Sequence, residues 1–365
     1  MLTEIATPAF LIDRDTVQRN CDRMRAKAQA SGVTFRPHVK THKAVEIGRM
    51  QHGGAPGPIT VSTLAEAQFF AENGFRDITY AVPIAPTPDK LQRAADLART
   101  VDRLSLLIDS EDALRALESF DFVFDVLLKV DCGYHRAGVD PESPDSARLA
   151  VAMARSERLR FQGLLTHAGH SYHARDVEEI RRVAAEEVGS LTRFRALLAG
   201  EGLADVRRSI GSTPTASVVD RFTECYEVRP GNYVFFDAFQ ATIGSCSLED
   251  VAVSVLTTVV GSYPDRGTII VDAGALALSK DLGPDHIRPD FGYGLVCDLG
   301  LHPQPMRIAA LSQEHGKIET RTNVPVGTRL RILPNHSCLT AAMYDTYHVL
   351  ADARVVAEWR PCRGW

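Results

Sequence analysis

The feature that most limits the fold of this chain is an alternation. Short apolar runs and longer amphipathic segments follow one another about eight times over roughly 210 residues. The runs are FRPHVK, PITVS, DITYAV, RLSLLI, FVFDVLLKV, FQGLLTH, DVRRSIGS and YEVRPGN. Between most of them lie helix patterns such as LAEAQFFAENG, DKLQRAADLART, SEDALRALESF, DSARLAVAMARSE and VEEIRRVAAEEVGSLTRFRALLAGEG, several closing on Gly, where helices tend to stop. The last connection, 213–224, is short and carries no firm helix pattern. Strand followed by helix, repeated in this way, predicts an α/β fold, a (β/α)8 TIM barrel; a doubly wound open sheet is the alternative use of the same elements. From about Ala241 the texture changes: DVAVSVLTTVVGSY, GTIIVDAG, GTRLRILPN and YHVLADARVVAEW are β-rich with Gly and Pro turns. A C-terminal all-β domain is expected there. The division is then an N-terminal strand at 1–15 that pairs with the β domain, a barrel at 16–240 and the β domain at 241–365.

Charge and cysteine usage narrow the classes of function. The 41 Lys and Arg against 46 Asp and Glu give a net charge of −5, with no basic tail or stripe, so nucleic acid is not an expected partner. The opening MLTEIATPAF lacks a charged and apolar leader pattern, and no apolar run reaches membrane-spanning length, so a cytoplasmic protein with no membrane partner is expected. Seven scattered cysteines with no CxxC pair argue against a disulfide framework.

The stretch FRPHVKTHK, Phe35 to Lys43, holds five cationic or ionisable basic side chains. In an extended backbone Arg36, His38, Lys40 and His42 would share one face. Lys40 would end the first barrel strand, on the rim where barrel active sites lie. Neighbouring positive charge disfavours an ammonium, so a nucleophilic amine at Lys40 is one reading and a solvated basic edge is the other. Strands 7 and 8 end in GSTPT and RPGNY, where Gly211, Ser212, Thr213, Gly231 and Asn232 offer close backbone approach and hydroxyls to a phosphate. A phosphate site together with a reactive lysine suggests a cofactor carrying phosphate and an aldehyde, pyridoxal 5′-phosphate, with His38 beside Lys40. Strand 5 ends in KVDCGYHRAG and strand 6 in THAGHSYH, which bring Arg136, His167, His170, Tyr172 and His173 to the same rim. An arginine or tyrosine there can hydrogen-bond the cofactor ring; His167 and His173 read as loop contacts. In RILPNHSCLT an extended backbone would put His336 and Cys338 on one face, a nitrogen and a sulfur donor that suit a divalent metal, zinc. Two protein ligands leave positions open for water and substrate, as a catalytic metal needs.

Taken in order, TPAFLID, RPHVKTHK, DCGYHRAG, THAGHSY, GSTPT, RPGNY, SQEHG and PNHSC resemble the fold-type III pyridoxal-phosphate enzymes with an alanine racemase-like fold, within the metal-dependent group of D-serine dehydratases and D-threonine aldolases. The resemblance runs over nearly the whole chain. It implies that Lys40 carries the cofactor, Arg136 contacts the ring oxygen, Tyr172 faces the ring nitrogen, and His336 with Cys338 holds the metal. It also implies a homodimer and a D-amino acid substrate. A His-x-Cys motif resembles the zinc-dependent D-serine dehydratases, whereas the aldolases more often show His-x-Asp. In the dehydratase reading Lys40 is the general base at Cα and the metal polarises the β-hydroxyl, giving a 2-oxo acid and ammonia. In the aldolase reading a base, His170, takes the hydroxyl proton and glycine is a product. A racemase and a non-enzymatic cofactor carrier are the remaining alternatives; the first needs a second acid/base, and the second resembles a barrel without the β domain.

Overall fold

A computed structural model describes residues 2–365 and divides into two compact units, one of residues 23–231 with 362–365, the other of residues up to 22 with 232–361. A 3-10 turn at Leu2–Glu4 is followed by strand β1 (Ala9–Asp13) and helix α1 (Arg14–Ala30).

The unit of residues 23–231 is built on β2 (Thr34–Phe35), β3 (Ile59–Val61), β4 (Asp77–Pro83), β5 (Arg103–Ile108), β6 (Phe124–Lys129), β7 (Leu159–Leu165), β8 (Arg208–Ile210) and β9 (Glu227–Val228). They are connected by α2 (Val45–Gln51), α3 (Leu64–Glu72), α4 (Pro88–Ala98), α5 (Glu111–Ser119), α6 (Pro144–Arg155), α7 (Val177–Gly200) and α8 (Thr213–Val218). The eight strands predicted from the alternation are present and parallel, in the order β2-β9-β8-β7-β6-β5-β4-β3. The edge strands meet at a bridge between His38 and Thr60, where the Thr60 N–H donates to the Pro37 carbonyl at 2.9 Å. The helices start where side chains cap them: Thr63 for α3, Ser110 for α5, Ser143 for α6 and Asp176 for α7 each accept a first-turn N–H. Losing one such cap costs about 1 kcal/mol. Every residue of β6 is buried, as expected of a parallel strand covered on both faces. Leu107, Leu127 and Leu165 form one buried cluster, each contributing about 1.5–3 kcal/mol of burial.

The 213–224 connection does contain a helix, α8, because Ser212 and Thr215 form a reciprocal capping box around Pro214. FRPHVK is a larger departure. The strand ends at Phe35, and Lys40 lies in a 3-10 turn, Val39–Thr41, so the four basic residues do not share an extended face. Arg36 is buried instead, its guanidinium paired with Glu227 at 2.7 Å and Asp77 at 2.8 Å. Burial opposes ionisation of Asp77, but Arg103 and Arg36 together hold its carboxyl down at about pKa 2. Removing one member of such a buried pair costs about 3–5 kcal/mol, which is why Arg36 follows the carboxylates rather than the strand alternation.

The other unit comprises β1 with β10 (Val253–Tyr263), β11 (Thr268–Val271), β12 (Leu295–Cys297), β13 (Pro303–Leu311), β14 (Gly316–Glu319), β15 (Arg329–Leu333), β16 (Tyr347–Ala351) and β17 (Arg354–Trp359). β11-β14-β13-β12-β15-β10 run antiparallel, and β10 pairs again with β11, which closes a six-stranded barrel. β1 adds to β10 antiparallel and to β16 parallel. Four of its five residues are buried, with Phe10 against Tyr347 at 5.1 Å. The unit is not purely β: α9 (Ala238–Thr242), α10 (Ala275–Leu278) and α11 (Ser337–Ala341) are short helices within it. Among the described residues no helix is long and apolar enough to cross a membrane.

Candidate active site

In the parallel-stranded unit the candidate residues gather where β2, β6, β7, β8 and β9 end. Lys40 is exposed, and among the described residues its ammonium has no ion pair or hydrogen bond. Its own backbone N–H donates to His38 Nδ1 at 3.3 Å, and His38 Nε2 lies 3.3 Å from Ser62 Oγ. Burial, then the nearby Lys40 and His167, hold the His38 pKa well below its ordinary value. Burial with Lys40 and Lys129 does the same to His167, whose Nδ1 lies 3.2 Å from the Gly211 carbonyl. Burial takes the His42 pKa down to about 3, with its ring held by the Ala44 carbonyl and Gln51. The expected crowd of positive charge is therefore not there: Arg36 is paired and the histidines are neutral. An exposed amine on a fixed turn, ringed by neutral imidazoles, fits an aldehyde-bearing cofactor.

The two glycine turns lie side by side. Gly211 has φ +123°, and a Cβ there would stand 3.1 Å from the Arg229 nitrogen. A Cβ on Gly231 would stand 3.0 Å from the His38 Cβ. Both positions are tight for a side chain, and at Gly211 the positive φ adds strain. The Gly211 N–H donates to buried Glu187 at 3.1 Å, and the Gly231 N–H donates to Thr213 Oγ1 at 3.3 Å. Ser212 Oγ joins Ser171 Oγ at 2.8 Å and Thr215 Oγ1 at 2.9 Å. The Asn232 side chain turns toward the segment around Cys338. Its amide donates to Asp237 at 3.0 Å, to Ser337 Oγ at 2.8 Å and to Cys338 Sγ at 3.5 Å.

Arg136 is exposed, with its guanidinium 5.0 Å above the Tyr134 ring. Tyr134 also packs edge-on against His167 and stacks on His170, both at 6.3 Å between centroids. His170 has both ring nitrogens shielded from water without a hydrogen bond, and Glu186 is 3.7 Å from its Nε2. Tyr172 is half-buried and His173 exposed on the 3-10 turn Gly169–His173. Sequence reasoning left out Tyr134, Ser62 and Lys129. Lys129, at the end of β6, is buried and has its pKa pushed by burial down to about 8. Its strand register was legible, but nothing local marks a lysine that points inward.

In the β unit His336 stands at the N-cap position of α11, without a side-chain capping bond, and Cys338 lies in the first turn, so a helix start, not an extended strand, brings the imidazole and thiol together. Pro334, just after β15, helps end the strand, and its carbonyl accepts the Ala238 N–H at 3.0 Å. His336 Nδ1 lies 2.9 Å from the Asp281 carboxylate, and Cys338 also hydrogen-bonds the ring. Burial works against a charged imidazole, yet Asp281 and Cys338 hold the His336 pKa well above its ordinary value. The cluster draws a proton where a cation would sit, and its N and S donors suit zinc. Among the described residues no group of three or more His, Cys, Asp and Glu side chains is arranged to hold a metal. Asp281 was missed, since it stands 55 residues before His336 with no local spacing to announce it.

Fold and site together define an alanine racemase-like enzyme with an added dehydratase-type β unit. Residues 12–238 match the family model of the alanine racemase N-terminal domain, and residues 252–350 match that of the putative serine dehydratase domain. Over the whole chain, the D-threo-3-hydroxyaspartate dehydratase of Delftia sp. (strain HT23) is 41% identical, with 99% of that protein covered. The D-serine dehydratase of Dictyostelium discoideum is 37% identical, with 98% of it covered, and the D-threonine aldolase of Arthrobacter sp. is 28% identical over 98% of this chain and 92% of that protein. The solved Delftia enzyme superposes with a TM-score of 0.92 at 40% identity, covering 100% of this chain and 99% of its own. Its structures include a variant of a histidine and a variant of a cysteine two positions beyond it, the latter in a metal-free form. Alanine racemase of Bacillus anthracis, at 14% identity and a TM-score of 0.70, shares the fold. The chain belongs to the fold-type III pyridoxal-phosphate enzymes, in the family of D-serine dehydratases and D-threonine aldolases; it is a pyridoxal-phosphate-dependent lyase acting on β-hydroxy-D-amino acids.

Proposed function

We propose that the protein is a zinc-dependent D-serine dehydratase, eliminating the β-hydroxyl of a D-amino acid to leave a 2-oxo acid and ammonia, and that it works as a homodimer. The observation that carries this reading is the His336–Cys338 pair, an imidazole and a thiol brought together at the start of α11, with the Asp281 carboxylate 2.9 Å from the imidazole Nδ1. Pyridoxal phosphate supplies an electron sink for the pair left at Cα, and zinc a Lewis acid for the departing hydroxyl. Lys40 Nζ is the group that attaches the cofactor and then takes the Cα proton, and its exposure leaves it free to do both. Arg136 is assigned to the ring oxygen and Tyr172 to the ring nitrogen, with His38 beside Lys40. Gly211, Ser212 and Thr213 in one turn and Gly231 with Asn232 in the other would meet the phosphate. His336 and Cys338 would hold the zinc.

The dehydratase relatives, at 41% and 37% identity, stand nearer than the aldolase at 28%, which favours elimination over retro-aldol cleavage. Incubating the protein with cofactor and zinc decides it. D-serine and D-threo-3-hydroxyaspartate should give keto acid, and D-threonine should give no glycine. Glycine as the main product would replace this reading with the aldolase, in which His170 would be the base. Sedimentation tests the dimer.

A further inference from the structure

Resting on the metal reading above, we infer that Asp281 is a positioning residue that fixes the His336 imidazole for metal binding. Asp281 Oδ2 lies 2.9 Å from His336 Nδ1. With the Nδ1 proton held by that carboxylate, Nε2 is the nitrogen that can give up its proton to a metal and become the donor, and the ring can rotate only by giving up the bond. A carboxylate in this place also makes the imidazole a stronger donor. Asp281 is itself fixed. Its Oδ1 accepts the Gly283 N–H at 2.7 Å, and its carbonyl accepts the Asn335 amide at 3.0 Å. That amide also reaches the Gly292 carbonyl at 2.8 Å, which ties residues 281–292 to the residue just before His336. Gly283 has φ +60°, and a Cβ there would stand 2.8 Å from the Asn335 Cβ, so close approach of the two loops requires glycine. These bonds hold the carboxylate in register with the imidazole before any metal arrives.

The test is metal affinity in the full chain, without substrate. Cobalt(II) is titrated by its visible absorption and zinc by competition with a chelator, for wild type, Asp281→Asn and Asp281→Ala. Asp281→Ala should bind both ions about 10–100-fold more weakly, with Asp281→Asn between it and wild type. Thermal melting of the metal-free proteins separates this from a structural effect, since a role in loop folding alone would lower melting and leave affinity within about twofold once the protein is folded. Unchanged affinity in both variants beside a wild type that binds would overturn the role of Asp281 and leave the metal reading standing. A wild type that binds neither ion would overturn the metal reading itself.

Discussion

At the turn after β2, histidines are surrounded by groups that keep them neutral. His38 and His167 are shielded and face the ammoniums of Lys40 and Lys129, and His42 is packed away with a pKa pushed by burial down to about 3. At the turn after β15 the setting is reversed. His336 meets a carboxylate and a thiol, and both favour positive charge on it. The same residue type thus serves two purposes, and the difference lies in the partners that distant segments deliver. Around Lys40 burial and neighbouring cations keep the imidazoles neutral; at His336 a carboxylate and a thiol favour the charged ring.

Breaking the first region should have the largest effect. Lys40→Ala is expected to abolish both cofactor attachment and turnover. In wild type, borohydride reduction and peptide mapping should put the label on Lys40; Lys43, paired with Glu66 at 2.9 Å, should carry none. Label on Lys43 would reassign the site.

Breaking the second region should leave the first intact. Cys338→Ala should fold and bind pyridoxal phosphate with its absorbance unchanged, while pyruvate formation from D-serine falls by roughly a thousandfold, since Lewis-acid help is worth several kcal/mol. Undiminished pyruvate production would remove the metal from the elimination step.

The neutral histidines can be tested through acid stability. His42 has a folded pKa of about 3 against an ordinary 6.5. Between these values the unfolded chain binds a proton that the folded chain does not. The stability contribution is therefore full above pH 6.5 and drains as pH falls toward 3, by about 2 kcal/mol at pH 5. Denaturant unfolding at pH 7 and pH 5 should show that loss in wild type and a smaller one in His42→Gln; equal pH slopes would mean His42 is not the neutral group.

Ser212→Ala gives the smallest expected change. Loss of the α8 cap should cost about 1 kcal/mol of stability. If its hydroxyl also meets phosphate, pyridoxal phosphate should bind about fivefold more weakly as well. A stability loss with unaltered affinity would make Ser212 a cap and nothing more.

Much of this architecture was legible in the linear chain. Alternating apolar runs and amphipathic segments marked the eight parallel strands, because each element must bury a stripe or face of its own. PNHSC placed His336 and Cys338 two positions apart, but the expected extended backbone is instead the start of α11. Long-range pairing was not legible. Arg36 looked like part of a basic face beside Lys40 until Glu227 and Asp77, 191 and 41 residues away, claimed its guanidinium. Nothing near Asn232 in the chain announced that its amide would reach Cys338, 106 residues on. Sequence by itself determined which elements form, since hydrophobic period, caps and turn residues act within a few positions. Only the tertiary structure decided which of the ionisable groups are charged, because that depends on burial and on partners brought from elsewhere in the chain.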